Sequence, residues 1–498
     1  MEIAAAKSRA EAFACEVVAV PFFEAERGRK PSLGATAALD AKLGKAISKA
    51  VEDGEFAGKE GQLLLLHTYG RIPAQRVLLV GLGKREEFVP DVVRRFTGRA
   101  AVFAREDGAG HLALALQDLE EIVEDELAGQ LATEGALLAL YRFVKYKTEK
   151  EERRELEKIT LLTSDASERM RNGVEVGRVA AECANLVRDV VNDPANSTTP
   201  TKLAELARNC ARKHGFRCVV HDRKWIEKEG MGGLLAVSKG SAQPPVFIVL
   251  EHAPKGARET VVIVGKGVTF DSGGISLKQA KDMEKMKYDK AGACAVLGAV
   301  VAAARLGLPV RVVGLMPCTE NLPGGSATKP GDIVKLHSGK TVEVINTDAE
   351  GRLILADALS YARRFKPKAV IDLATLTGAC TIALGYEAIA LLGNDEMLKE
   401  KIRRAGERSF ERVWELPLWK EYAEYNQSDV ADVRNIGGKA GEAGTITAAK
   451  FLETASGVKN WCHLDIASTA WNEKAEPYMG LGATGVGVRL LTELLRNW

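Results

Sequence analysis

Short apolar runs broken by turn residues alternate with longer stretches of helical period along nearly the whole chain. In the first 150 residues, "CEVVAVPFF", "QLLLLHTYG", "RVLLVGLG" and "HLALALQDL" read as strands. Between and after them, "DVVRRFTGRAAVFARE" and "ATEGALLALYRFVKY" carry a helical period. The charge run "KTEKEERRELEK" at 147–158 breaks the pattern and reads as a solvated connector. One more strand, "ITLLTS", precedes a helical stretch at about 165–190. From residue 200 the alternation is more regular, with "PPVFIVLEH", "TVVIVGKG", "VRVVGLMPC", "KAVIDLAT", "AIALLG" and "WCHLDIAS" as buried strands. Helical "KLAELARNCARKHG", "AGACAVLGAVVAAARLG", "LILADALSYARRF" and "TITAAKFLETAS" separate them. The fold class expected is α/β: an N-terminal α/β domain over 1–165, a linker helix over 166–190 and a larger domain over 191–498. The larger one should hold a mixed sheet flanked by helices on both faces, with ligands bound beyond the carboxyl ends of its strands.

Composition narrows the partners. The 498 residues are 46% hydrophobic and 27% charged, with a net charge of +2, which gives neither nucleic acid nor an anionic membrane electrostatic support as a partner. The eight cysteines are scattered with no CxxC pair, a pattern of reduced thiols. The start "MEIAAAKSRAEAF" lacks a basic segment followed by an apolar block, so no signal peptide is expected. The longest apolar run, "ACAVLGAVVAAA", is about 12 residues and falls short of the ~18 that span a bilayer. A cytoplasmic location is the expectation.

Charges collect where strands end. "VVIVGKGVTFDSGG" carries Lys266 and Asp271, "SLK" supplies Lys278, and "MKYDKAGACAV" puts Asp289 before an Ala/Gly-rich helix. "VEVINTDAEGRL" places Asp348, Glu350 and Arg352 between apolar runs. Carboxylates this crowded repel one another and would hold protons unless a cation sits among them. A pair of divalent ions is one remedy, and solvated strand-end charges are the plain alternative. An extended or looped "NTDAEGR" would point Asp348, Glu350 and Arg352 the same way. Neither "VGLGK" nor "VGKG" completes a phosphate-binding motif, so each reads as a tight turn leaving a strand. The histidines lack metal-like spacing, and His463 reads as a satisfied core residue.

These segments resemble the leucine aminopeptidase family, the dinuclear-zinc exopeptidases. "NTDAEGRL" matches the family's signature octapeptide in full. "DVVNDPANSTTP", "GMGGLLAVSKGS", "GKGVTFDSGGISLK", "MKYD", "MPCTENLPGG", "KPGDIV", "DLATLTGA", "NIGG", "TITAAKFL" and "HLDIAS" are similar to family blocks in the same order, over roughly 185–490. The resemblance implies that 191–498 is a catalytic metallopeptidase domain in which Asp271 and Glu350 bridge two divalent ions. Lys266 and Asp289 would complete the tighter site, and Asp348 the exchangeable one. Zinc or manganese is expected, with magnesium possible at the exchangeable site. The activity implied is release of N-terminal, leucine-like residues from short peptides with a free N-terminus, by a bridging hydroxide. Lys278 would stabilise the oxyanion, and Arg352 would hold a bicarbonate ion. Met286, Thr375, Leu376 and Gly378 would line the side-chain pocket, and the assembly implied is a homohexamer. Some bacterial relatives also act as architectural DNA-binding proteins, which is the alternative role carried here. Departures from the usual family pattern include Lys290 directly after Asp289, Gln279, Ser468 and the longer loop "GGKAGEAGTIT".

Overall fold

The computed structural model describes residues 1–24, 36–149, 154–438 and 442–498. Residues 150–153 of the charge run and 439–441 of the long glycine-rich loop therefore lie outside the described residues. The chain forms two compact units, Met1–Glu182 with Lys474–Gly480, and Cys183–Glu473 with Leu481–Trp498.

Among the described residues the first unit contains a six-stranded sheet of β1 (Glu2–Lys7), β2 (Val17–Phe23), β3 (Leu63–His67), β4 (Arg76–Gly83), β5 (His111–Ala115) and β6 (Lys158–Thr163), in the order β1-β6-β5-β2-β4-β3. Its pairs are parallel except β3 with β4. Strand β1 is absent from the sequence-based expectation, because "EIAAAK" is built largely from residues depleted in strands. Its in-register pairing with Lys158–Thr163 overrides that weak local preference. Helix α1 (Asp91–Glu106) lies where its period predicts, whereas α2 (Asp125–Ala139) starts earlier and stops before "YRFVKY". Asp125 and Glu126 in its first turn complement the helix dipole, which accounts for the earlier start. Helix α3 (Glu168–Asn192) follows, and the division between units falls within it.

The second unit is built on a mixed sheet. Its strands are β7 (Arg217–His221), β8 (Val246–His252), β9 (Thr260–Gly265), β10 (Gly267–Asp271), β11 (Arg311–Asn321), then, beyond two short strands of another sheet, Ala369–Ala374, Ile389–Gly393, Val413–Glu415 and Trp461–Asp465. The short pair is β12 (Ile333–Lys335) and β13 (Thr341–Glu343), so the later strands are β14, β15, β16 and, past β17 (Val433–Arg434), β18. The centre of the sheet is parallel: β11 pairs with β9, β9 with β14 and β14 with β18. Val261, Val262, Ile263 and Val264 of β9 are wholly buried, as a strand covered on both faces requires. Helix α4 (Ala291–Arg305) covers one face, and its approach is close: a Cβ on Gly292 would lie 2.2 Å from the carbonyl oxygen of Leu373. That contact needs glycine and sets Asp289, just before the helix, against the sheet edge. Strands β9, β14 and β18 end at Gly265, Ala374 and Asp465, so Lys266, Thr375 and Asp465 emerge on one edge. Strands β12, β13 and β17 form a separate sheet, from which "NTDAEGR" leads into helix α5 (Gly351–Ala362). No helix among the described residues is long and apolar enough to cross a membrane.

Candidate metal centre

The strand ends converge on one cluster. Oxygen atoms of Asp271, Asp348 and Glu350 lie within 4.8 Å of one another. The Lys266 ammonium joins Asp289 to that group, with its Nζ 2.8 Å from Asp289 Oδ1 and 2.7 Å from Glu350 Oε1. Its third bond is donated to the Thr375 carbonyl at 2.9 Å. The Lys278 ammonium lies 2.9 Å from Asp271 Oδ2 and pairs with Asp348 Oδ1 as well. The plain alternative for Lys266 is a salt bridge to Asp271, yet the pairs observed are with Asp289 and Glu350. Asp271 Oδ1 accepts from the Gly273 amide and from Asn321 Nδ2, both at 2.9 Å. Thr375 Oγ1 donates to Asp289 Oδ1 at 2.6 Å.

The electrostatics follow from burial and crowding. Burial opposes the charge of Lys266, but Asp289, Glu350 and Asp271 outweigh it and hold the ammonium well above its usual range. Lys278 is held up in the same way by Asp271, Glu350 and Asp348. Burial pushes Asp289 well above the carboxylate range against the pull of Lys266, and raises Asp271 with help from Glu350. It also lifts Asp348 to about 6. Glu350 shifts down, because Lys266 and Lys278 overcome its burial. Two ammonium groups thus face four carboxylates, and two buried oxygens, Asp289 Oδ2 and Glu350 Oε2, have no hydrogen-bond partner among the described residues. Unsatisfied buried carboxylate oxygens are costly, and divalent cations would satisfy them. The all-oxygen donor set plus one amine fits such ions.

Arg352 does not point at the same place as the acids. It lies in the first turn of helix α5, so "NTDAEGR" is a loop only as far as Glu350. Its Nη1 donates to the carbonyl of Asn435 at 2.5 Å, and its buried Nε has no hydrogen-bond partner among the described residues. Burial brings this guanidinium down to about 10 against the opposing fields of Glu350 and Asp465. Lys290 turns away from the cluster and donates to the carbonyls of Asp193 at 3.0 Å and Lys287 at 2.6 Å. Burial lowers it to about 8. His463 is bonded on one nitrogen, Nδ1 lying 2.7 Å from Asp372 Oδ1, while Nε2 has no partner among the described residues.

Gly351 provides a direct check on this geometry. A Cβ there would stand 2.7 Å from Lys266 Cε and 2.8 Å from its Nζ. Gly351→Ala should improve helix propensity by up to about 1 kcal/mol while displacing Lys266 from its carboxylates. The expected outcome is activity down at least about tenfold with no rise in melting temperature, because the disturbed buried ion pairs offset any helix gain, read by steady-state kinetics and calorimetry.

Two family models match the chain: the cytosol aminopeptidase family catalytic domain over residues 185–492, and the N-terminal domain of the same family over 19–150. The chain belongs to the cytosol aminopeptidase family. A probable cytosol aminopeptidase of Geotalea uraniireducens (strain Rf4) is 50% identical over 466 residues, covering 92% of this chain and 93% of that protein. One from Geobacter sp. (strain M21) is 47% identical over 487 residues, 97% of each. Among solved structures, a tomato leucine aminopeptidase mutant superposes with a TM-score of 0.90 at 31% identity, covering 100% of this chain and 97% of the other. The bottromycin maturation enzyme BotP in complex with Mn superposes at 0.85 with 35% identity, covering 97% and 99%. The two-domain α/β fold is that of leucine aminopeptidase, and the chain is a metal-dependent aminopeptidase.

The remaining residues expected in a cytosol aminopeptidase site are placed as follows. Met286 is half-buried in the turn of 3-10 helix Met283–Lys290, and Gly378 is exposed at the start of the short helix Gly378–Leu384. The Leu376 amide donates to Asp465 Oδ1 at 3.1 Å. Thr375 is engaged by both its hydroxyl and its carbonyl at the acid cluster. Three polar residues in direct support of the site are missing from the sequence-based reading: Asn321, Asp465 and Asn435. Asn321 and Asp465 carry a signal like that of Lys266 and Asp271, a polar group at the end of an apolar strand. Asn435, in the short "VRNIGG", does not.

Proposed function

We propose that this aminopeptidase is a dinuclear enzyme that removes leucine-like residues from the free N-termini of short peptides. The observation that carries the reading is the cluster of four carboxylates left with unsatisfied buried oxygens beside only two ammonium groups. Lys266, Asp289, Asp271 and Glu350 would hold one divalent ion, and Asp271, Glu350 and Asp348 the other. Bound there, zinc or manganese would acidify water and polarise a peptide carbonyl, with magnesium possible beside part-exposed Asp348. Lys266 must give up its proton to donate a lone pair, and its burial favours the neutral amine once cations replace the carboxylates' demand for charge. Lys278, the less buried of the two lysines, would donate a hydrogen bond to a developing oxyanion. The unpartnered Nε of Arg352 would hold bicarbonate. Met286, Thr375, Leu376 and Gly378 offer an apolar or small wall suited to leucine. A cytoplasmic homohexamer is the assembly proposed, by likeness to the family.

With Mn²⁺ or Zn²⁺ the protein should release the chromophore from leucine p-nitroanilide, and a chelator should stop it. N-acetylation of a leucyl peptide should abolish its cleavage. Equal cleavage of the blocked and free peptides would contradict recognition of the amine.

A further inference from the structure

We infer that Asn435 is the positioning residue that gives the "NTDAE" loop its ligand geometry. It emerges from β17, which runs parallel to β13 with Val433 beside Val342 and Arg434 beside Glu343. The Asn435 amide extends that ladder by one step, donating to the Glu343 carbonyl at 3.0 Å. Beyond this point β13 turns away into the loop, and the side chain of Asn435 takes over the pairing. Its Oδ1 accepts from the amides of Ile345 at 2.8 Å and Asn346 at 3.3 Å. Its Nδ2 donates to the carbonyls of Asn346 at 2.7 Å and Ala349 at 3.4 Å. Its own carbonyl accepts from Arg352 Nη1. Asn435 is wholly buried, and it bonds the segment on both sides of Asp348 and Glu350 with no hydrogen bond to either carboxylate among the described residues.

The opposite side of the loop is held separately. Thr347 Oγ1 donates to the Gly273 carbonyl at 2.6 Å, Ser276 Oγ accepts from the Thr347 amide at 3.1 Å, and Asn321 Nδ2 donates to the Thr347 carbonyl at 3.0 Å. The first two bonds tie the loop to the segment just after Asp271, and the third ties it to the end of β11. Asn435 ties it to the β12–β13–β17 sheet, so the loop is gripped from both sides at fixed separation. The residue type is demanding. One side-chain acceptor and two donors on a short stem are used together, which only asparagine provides at this length. Aspartate keeps the acceptor but loses both donors, and sets a negative charge against two carbonyl oxygens.

The inference rests on the metal-centre reading above, and its test separates the two. Full-length Asn435→Ala and Asn435→Asp would be compared with wild type in two measurements: Mn²⁺ affinity by competition with a chelating dye, and backbone hydrogen exchange of the metal-free protein over 344–350. For Asn435→Ala, Mn²⁺ affinity at the weaker site should fall by about 10–100-fold, the usual effect of losing support behind a ligand. Exchange at Ile345 and Asn346 should quicken at least about tenfold, because both amides lose their acceptor. Saturating Mn²⁺ should restore most of kcat, a split that general destabilisation would not give. Asn435→Asp should keep those two amides protected and still weaken Mn²⁺ binding. Mn²⁺ affinity within about twofold of wild type in Asn435→Ala overturns the inference, even if exchange quickens. If the alanine variant does not fold, unchanged affinity in Asn435→Asp overturns it. A wild-type protein that binds no Mn²⁺ overturns the metal reading instead, and unchanged exchange at 345–346 then overturns the role of Asn435.

Discussion

Glu350→Gln is expected to strip the site of metal and to lower kcat/KM by at least about 10³-fold, because the metals proposed there would acidify the attacking water through several pK units. The substitution keeps the volume of the side chain and removes only its charge. Glu350 is fully buried at the start of helix α5, pairs with Lys266 at 2.7 Å, and shares the cluster with Asp271 and Asp348. A neutral amide there cannot bridge two cations. It also leaves the buried Lys266 ammonium with Asp289 as its remaining ion-pair partner. Metal analysis by mass spectrometry and hydrolysis of leucine p-nitroanilide read the two losses separately. Full metal occupancy in this variant would mean that the ions bind elsewhere.

Lys278→Ala should behave differently. It is expected to lower kcat by roughly 10²–10³, the usual effect of losing one oxyanion donor. Metal content should be retained or increased. The Lys278 ammonium pairs with Asp271 and Asp348, so it would compete with cations for the same oxygens. Removing it should free those acids for metal while taking away the proposed donor. The pair of variants therefore distinguishes a ligand from a group that acts on substrate: metal loss with activity loss in one, activity loss alone in the other.

The parts of this structure that were legible in the sequence share a physical cause. Strands buried on both faces must be apolar throughout, so β9, β14 and β18 stand out, and the polar residue that ends each run is conspicuous. That is how Lys266 could be found, although Asp465 at the end of β18 was missed. Asp271, Asp348 and Glu350 stood out instead as charges set among apolar runs, and the octapeptide resemblance then implied their roles. Strand β1 was illegible because alanine and lysine carry no strand signal, and its partner β6 lies far along the chain. Arg352 was read with its neighbours as one looped segment. Helix α5 begins immediately after Glu350, and that turn sends the guanidinium to Asn435 instead. Thr375 was expected only as pocket wall, and the bonds of its hydroxyl to Asp289 and its carbonyl to Lys266 were not foreseen. Asn435 was noticed only as the first residue of the "NIGG" block and was given no role, since its contacts come from a parallel pairing of two- and three-residue strands that no periodicity can reveal.

The claim on which everything else depends is that side chains from separate segments hold two divalent ions together. Crystals grown with Mn²⁺ and measured at the manganese absorption edge test it directly. Two anomalous peaks per chain are predicted, both in contact with Asp271 and Glu350, one also with Lys266 and Asp289 and the other with Asp348. A single peak, or well-ordered carboxylates still paired with Lys266 and Lys278 and no peak among them, would contradict the account.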